Sequence, residues 1–312
     1  MLAEFYMRRI SCVVLVAPLV AVALMPASAL APDNEPRQQS EPVGQETQVE
    51  QVLTVGETVE VVGIRAGVDM PVTTADLNRM QLDRISYGQD VPQLLQYAPS
   101  MNWYSDSGTG SNYSYFSLRG IQQTRINMTY DGAPLNDPAE HALYFNNFGD
   151  FINEVDSVQI QRGVGTSTVG SPAFGGSVNF ASRPPSTRAG LTGRMQLGSY
   201  DTTRASLGGH TGSFGNGFWA SGRYSYATTD GYRDHSGGSN NTFFLNAGWQ
   251  GANSSLKFTG FSGNEQQQLA WLAVDPETLA QNRRFNPLDE EERDSFGQDF
   301  AQVRYMRDLG DG

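Results

Sequence analysis

Three stretches of this 312-residue sequence carry residue types that could do chemistry. Gly163, Gly165, Gly170, Gly175 and Gly176 crowd the segment "QIQRGVGTSTVGSPAFGGSVNF", Gln159 to Phe180. Glycines at this density can wrap a phosphate with main-chain amides, but that use calls for a following helix N-terminus and commonly a Lys. Neither follows. Asp137, Glu140 and His141 fall within five residues and hold the donor atoms of a metal site. Without a second His group they read as solvated or ligand-facing, and no metal is expected. "NWYSDSGTGSNYSYF", Asn102 to Phe116, interleaves aromatics with Ser and Gly. Trp103, Tyr104, Tyr113, Tyr115, Tyr144 and Phe145 could stack on an aromatic or sugar-like ligand, or equally pack one part of the fold on another. No Ser-His-Asp set, Cys-His pair or carboxylate pair sits in a recognisable motif, so no enzyme, catalytic residue or cofactor is expected.

The elements that must position these groups divide the chain by texture. Arg8 and Arg9, the apolar run from Ile10 to Leu24 and Ala27-Ser28-Ala29 form an export signal, residues 1–29, with cleavage after Ala29. Its run of about 15 apolar residues, broken by Pro18, is shorter than the roughly 20 that a spanning helix needs. Cys12, the one cysteine, lies inside it and offers no disulfide framework. Residues 30–55 are rich in Pro, Gln and Glu, too poor in apolar groups to offset ordering entropy, and read as a disordered arm. A β-branched run, "GETVEVVGIR", then begins at Gly56.

Residues 65–187 read as an α/β domain. Thr73-Thr74-Ala75-Asp76 is expected to cap a short helix through Met80, and Asp90 a second one to Tyr97, stopped by Pro99. "RINMTYDGAPL" predicts a strand ending in an Asp131-Gly132 turn. "EVDSVQIQRG" predicts another, setting Val155, Ser157 and Gln159 against Asp156, Val158 and Ile160. "GGSVNFAS" predicts a third.

From residue 188 the period becomes two. Leu191, Gly193, Met195 and Leu197 oppose Thr192, Arg194 and Gln196; Phe218, Ala220, Gly222, Tyr224 and Tyr226 oppose Trp219, Ser221, Arg223 and Ser225. The alternation recurs from Phe243 to Trp249 and from Ala301 to Tyr305. Soluble antiparallel sheets alternate too. The links decide: short at "HTGSFGNG" and "QGANSS", long at "TTDGYRDHSGGSNN" and from Asn264 to about Ser295, which is the asymmetry of an outer-membrane barrel. The formal charge of −12 argues against a nucleic-acid partner.

"LRGIQQTRINMTYDGAPLND", Leu118 to Asp137, followed by "VDSVQIQRGVGTSTVGSPAFGGSVNF", resembles the plug signature of the TonB-dependent outer-membrane receptors. An Arg-Gly pair, a D-G-x-P-L turn and an I-Q-R-G…A-x-G-G-x-V-N ending occur in the family's order over roughly residues 55–185. The resemblance implies an α/β plug domain inside an antiparallel transmembrane β-barrel, in the outer membrane of a Gram-negative bacterium. It implies lipid contact, a periplasmic TonB-type energy-transducing partner and an extracellular small-molecule or metal-chelate ligand. The cargo so implied is foremost a ferric siderophore or other iron complex, with cobalamin, haem or oligosaccharide as alternatives. A passive porin or a secreted β-rich binder is disfavoured by the plug signature.

Residue by residue, the resemblance places TonB coupling in residues 56–64, at Glu57, Thr58, Val59, Glu60, Val61 and Val62. It gives the glycine run a structural part, letting plug backbone pass close to the wall. Arg119, Gly120, Asp131, Gly132, Arg162, Gly163, Gly175 and Gly176 become plug-structural, with Arg119 and Arg162 paired to barrel carboxylates. The outward apex would contact ligand through Trp103, Tyr104, Tyr113, Tyr115, Asn136, His141 and Tyr144. Residues 188–312 supply about six strands, against roughly 22 in barrels of this size class, so the barrel is expected to be incomplete in this chain.

Overall fold

A computed structural model of the protein describes residues 65–66, 72–163 and 174–308. The export signal, the arm and the coupling segment at 56–64 lie outside the described residues, as do Gly165 and Gly170.

The first part of the fold holds β1 (Thr73–Leu77), α1 (Arg79–Ile85), α2 (Val91–Leu95), β2 (Met101–Ser105), β3 (Ser114–Leu118), β4 (Ile121–Gln122), β5 (Ile126–Tyr130), β6 (Ala133–Pro134), β7 (Val155–Arg162) and β8 (Gly176–Ser182). One sheet has the order β1-β7-β8-β5-β6, and β2-β3-β4 form a second. Only β5 and β8 run parallel; every other pair in these sheets is antiparallel.

Three expectations for this region are corrected. Thr73 to Asp76 do not cap a helix; they are the edge strand β1, whose main chain pairs with β7 from Thr73–Arg162 to Leu77–Val158. The helix instead begins at Arg79, behind Asn78 as its cap. Asn78 Oδ1 accepts from Gln81 N–H at 3.0 Å, and Gln81 Oε1 accepts from Asn78 N–H at 2.9 Å, a reciprocal capping box. Asp90 does precede α2, but its side chain makes no cap and the helix stops at Leu95 rather than Tyr97. The alternation expected through β7 is also broken. A bulge between Val155 and Ser157 shifts the register, so Val155 joins Val158 and Ile160 in the core.

The second part is six antiparallel strands in sequence order: β9 (Gly190–Leu197), β10 (Thr203–His210), β11 (Phe218–Thr229), β12 (Gly238–Gln250), β13 (Ser254–Gln268) and β14 (Arg293–Arg307). Of the two long links expected, the first shortens to residues 230–237 because β11 and β12 extend into it, and the second starts at residue 269, not Asn264, and carries a short helix, α3 (Pro276–Gln281). Inward residues are largely polar or aromatic: Arg223, Ser225, Phe244, Asn246, Lys257, Phe261 and Arg304 are all buried. Outward residues such as Leu191, Met195, Tyr224, Phe243 and Val303 are exposed.

The upper limit of this outward apolar band is oblique. It lies at Leu197 on β9, Tyr226 on β11, Phe243 on β12 and Ala301 on β14. Following the registers, Leu197 is level with Thr228 and Ser295, three outward positions above Ala301. A drop of about 20 Å across five strand spacings of about 4.8 Å is the slope of strands tilted by about 40°. Membrane barrels tilt their strands by about 35–45°.

The first part is seated on the inner face of the wall through aromatic rings. Phe151 and Tyr130 meet Phe261 with centroids 5.9 and 5.8 Å apart, and Phe261 stacks on Phe300 at 4.6 Å. One hydrophobic core therefore runs from Leu82, Leu94 and Ile126 through to Phe244 and Phe261 of the wall.

Candidate functional site

The hairpin β2–β3 brings the sequence-selected aromatics to one end of the fold. Register places Tyr104 opposite Tyr115, and Tyr113 lies two residues before Tyr115, so the three share a face. Tyr104 and Tyr115 stack with centroids 5.1 Å apart, Tyr115 and Tyr113 at 6.2 Å, and Tyr113 meets Tyr144 edge-on at 5.6 Å. Tyr144 touches Phe296 of β14 in turn. The series ends at Tyr104, which is 53% exposed and presents an open ring face.

The Tyr113 hydroxyl donates to Asp294, and the Tyr144 hydroxyl donates to Glu140 at 3.0 Å. Burial, reinforced by these carboxylates, pushes the Tyr113 and Tyr144 phenols upward, and burial with Asp106 does the same for Tyr115. The phenols are therefore neutral donors rather than phenolates. Burial also raises Asp106 to about 6, with Arg233 opposing.

Other candidates are engaged elsewhere. Trp103 lies across the strand from Tyr104, and its Nε1 donates to Gln96 at 3.0 Å while its ring packs on the core. Asn136 uses its amide on the main chain, donating to the Ile126 and His141 carbonyls and accepting from Met128 N–H. Asp137 accepts from the amides of Ala139 and Glu140, closing a turn that leaves His141 exposed at φ 57°. Those main-chain bonds hold the Asp137 carboxyl below its ordinary range.

The turn residues behave as their types require. Asp131 and Gly132 both have positive φ, 48° and 85°, the requirement of a two-residue hairpin turn between β5 and β6. Gly176 has φ 146°, and a Cβ there would come within 2.3 Å of the Gln161 carbonyl. Gly175 faces Ile121 closely, and Gly163 lies beside the Arg119 guanidinium. Arg119 and Gly120 turn the chain at φ 52° and 81°, with Arg119 N–H donating to Ser100.

The expected pairing of Arg119 and Arg162 with wall carboxylates is not seen on the six strands present. Among the described residues neither makes an ion pair with the wall, and the charges run the other way. Asp131 receives Lys257 at 2.9 Å and Arg304 at 4.0 Å. Glu154 and Asp150 receive Arg223 at 2.7 and 3.8 Å, Asp90 receives Arg204 at 3.7 Å, and Asp83 receives Arg194 at 3.5 Å. For Asp131, burial acts upward but Lys257 and the bonds from Ser182 outweigh it, holding its carboxyl below the usual range. Burial dominates at Asp90 and lifts it to about 6. These pairs span sequence separations that no single-sequence pattern marks; strand alternation alone could have flagged the inward Arg223 and Arg304.

Arg65 ties the chain leading into this domain to its main sheet. It donates to the Ser157 hydroxyl and carbonyl at 2.9 Å and to the Asn179 carbonyl at 3.1 Å, next to the β7 bulge. Ala66 N–H donates to Gln159 Oε1 at 2.8 Å.

Comparison with known proteins gives this arrangement its family. Residues 67–177 match the family model described as TonB-dependent Receptor Plug Domain. The vitamin B12 transporter BtuB of Vibrio cholerae serotype O1 is 29% identical over 153 residues, covering 48% of this chain and 24% of that protein. The chain thus spans about a quarter of the length of the curated relatives it matches. Among solved structures, FpvA of P. aeruginosa bound to heterologous pyoverdines aligns at TM-score 0.63 and 15% identity over 78% of this chain and 33% of that one. The ferric yersiniabactin uptake receptor FyuA from Yersinia pestis aligns at TM-score 0.57 and 15% identity, over 75% and 38%. Sequence motif, plug sheet and antiparallel wall agree: residues 67–177 are a TonB-dependent receptor plug domain, and the six-stranded sheet that follows has the fold of part of the barrel in the solved receptors.

Proposed function

We propose that this chain is part of an energised importer of the bacterial outer membrane. It binds a scarce nutrient at the outer face and passes it inward when a periplasmic TonB-type partner engages Glu57 to Val62. The β9–β14 sheet belongs to a larger closed barrel, since an open edge in lipid leaves main-chain groups unpaired at several kcal/mol each. The observation that carries this reading is the oblique apolar band on the wall's outer face, with the plug core seated on its inner face. A soluble β-protein has no reason to expose Leu191, Met195, Val303 and Tyr305 at a constant slope.

The ligand contacts are assigned to the tyrosine series, with Tyr104 as the stacking face, and Trp103 and Asn136 are given structural parts. The cargo is an iron complex such as a ferric siderophore; cobalamin is the second reading, favoured by the relative named a vitamin B12 transporter. The complete receptor in energised cells tests this. Tyr104→Ala should weaken surface binding about tenfold with heat-modifiable barrel migration unchanged, as loss of one stacking contact of about 1 kcal/mol or more implies. Val59→Pro removes a main-chain donor from strand addition and should abolish uptake while sparing surface binding. Normal uptake by Val59→Pro, or unaltered affinity in Tyr104→Ala, overturns the corresponding assignment.

A further inference from the structure

Just inside the apex, the inner face of β12–β13 meets the plug turn at Phe145–Phe148 in a seam unlike the rest of the interface. Glu265 points into it and is 3% exposed. Asn146 donates to Glu265 Oε2, but Oε1 has no hydrogen-bond partner. Among the described residues no Lys, Arg or His forms an ion pair with this carboxylate, whereas the buried Asp131, Glu154 and Asp90 each have one. An uncompensated buried carboxylate is costly, and proteins resolve it with a proton, a cation or a paired base.

The surroundings discriminate between these. Register sets Asn240 opposite Glu265 and Thr242 opposite Gly263, and places Gln267 one inward position above. Gly263 lacks a side chain where Asn147 arrives: a Cβ there would lie 1.6 Å from the Asn147 carbonyl. Asn240 donates to the Asn146 carbonyl at 3.3 Å, which fixes the plug turn against the same rungs. In this seam the buried oxygens without a partner are Glu265 Oε1, Asn146 Oδ1, Asn147 Oδ1, Asn240 Oδ1, Thr242 Oγ1 and Gln267 Oε1. The matching nitrogens are Asn147 Nδ2 and Gln267 Nε2 only. A single proton on Glu265 could satisfy one acceptor. The excess of oxygens calls for a centre that several acceptors can share, and carboxylate, amide and hydroxyl oxygens are the ligands of hard cations.

We infer that Glu265, with amide and hydroxyl oxygens from Asn146, Asn147, Thr242 and Gln267, forms a site for a hard monovalent cation that joins plug to wall. One ionised carboxylate among neutral oxygens matches a single positive charge. Asp294, opposite Gln267, is engaged by the Tyr113 hydroxyl and adds to the field that draws a cation in. The cation does at this seam what Lys257 and Arg223 do lower down. The inference is independent of the cargo.

The test uses the complete receptor in detergent at fixed ionic strength, comparing sodium, potassium, calcium and N-methylglucamine chlorides. Hydrogen exchange of residues 145–149 and 238–242 should slow several-fold in sodium or potassium relative to N-methylglucamine, and Glu265→Gln should erase that difference. If Glu265→Gln fails to assemble, Thr242→Val and Gln267→Ala should raise the half-saturating cation concentration several-fold. Exchange indifferent to the cation overturns the site, as does a response that survives Glu265→Gln, a response to calcium alone, or a carboxylic-acid infrared band from Glu265 at neutral pH in saturating sodium.

Discussion

In the plug, the largest fully buried side chains are aromatic or aliphatic, among them Phe116, Leu118, Ile126 and Met128. The wall buries Arg223, Lys257, Thr259, Glu265 and Arg304, and turns Leu191, Leu207, Tyr224 and Val303 outward. Both are sheets obeying the same two-residue alternation, yet the wall's buried face carries cations where the plug's hydrophobic core is apolar. The difference teaches that the plug is not a lid on an oily socket. It is a small globular core whose acidic rim is matched to cations on the wall, with aromatic bridges at Phe151–Phe261 and Tyr144–Phe296. Matched charges close the lower seam, and an unmatched Glu265 marks the upper one.

The sharpest way to break this contrast is at Lys257. Lys257→Met leaves Asp131 buried with only Arg304 at 4.0 Å, and removing one partner of a buried pair costs about 3–5 kcal/mol. Faster hydrogen exchange in β5–β6 should report it, and adding Asp131→Asn should restore most of the loss. An unchanged single variant would mean the lower seam is not held by charge.

A smaller effect is expected from shape. Gly263→Ala must push the plug turn off the wall and should destabilise by about 1–3 kcal/mol in thermal unfolding. Gly193→Ala on the outer face meets nothing within 4 Å and should be near neutral. Equal effects at the two sites would show that the wall's faces do not differ in how tightly they are packed.

The two acids should also answer pH in opposite directions. Asp90, raised to about 6 by burial, binds more protons folded than unfolded, so its contribution falls as pH rises from about 4 to about 6. Asp131 is depressed, so its contribution is present above about 4 and is lost as pH falls through its folded value. Asp90→Asn should flatten the decline between pH 4 and 6, with Arg204 and Ser114 its immediate partners. A decline that persists in the variant would assign it to another group. The smallest effect is confined to the plug: Asn78→Ala removes the cap of α1 and should cost about 1 kcal/mol, with no change at the wall.

Much of this was legible in the sequence because its determinants are local. The wall strands announce themselves by alternation, and the Asp131-Gly132 turn by residue type. The strand β1 was misread because Thr-Thr-Ala-Asp suits a helix cap as well as an edge strand, and only β7, some 85 residues away, decides. The polar run Asn264 to Gln268 read as loop because the outward face turns polar above the apolar band while the strand continues. The charge pairs were illegible in principle, since Lys257 and Asp131 are 126 positions apart. Of the apex candidates, the three stacked tyrosines share a strand face that spacing could suggest. The commitments of Trp103 to Gln96 and of Asn136 to main chain depend on tertiary placement.

The tie at Arg65 and Ala66 also sets how tension travels through the plug. A pull on the chain ahead of Arg65 first loads its bonds to Ser157 and Asn179 and the Ala66–Gln159 contact. It next reaches β1, which among the described residues is an edge strand held by β7 alone. β7, β8 and β5, which carry the core, are last in line, and Asp131, Asp150 and Glu154 hold the surrounding turns to the wall. The plug is therefore graded like a fuse: a few side-chain bonds yield first, one strand second, and the anchored remainder bears load only after both have gone.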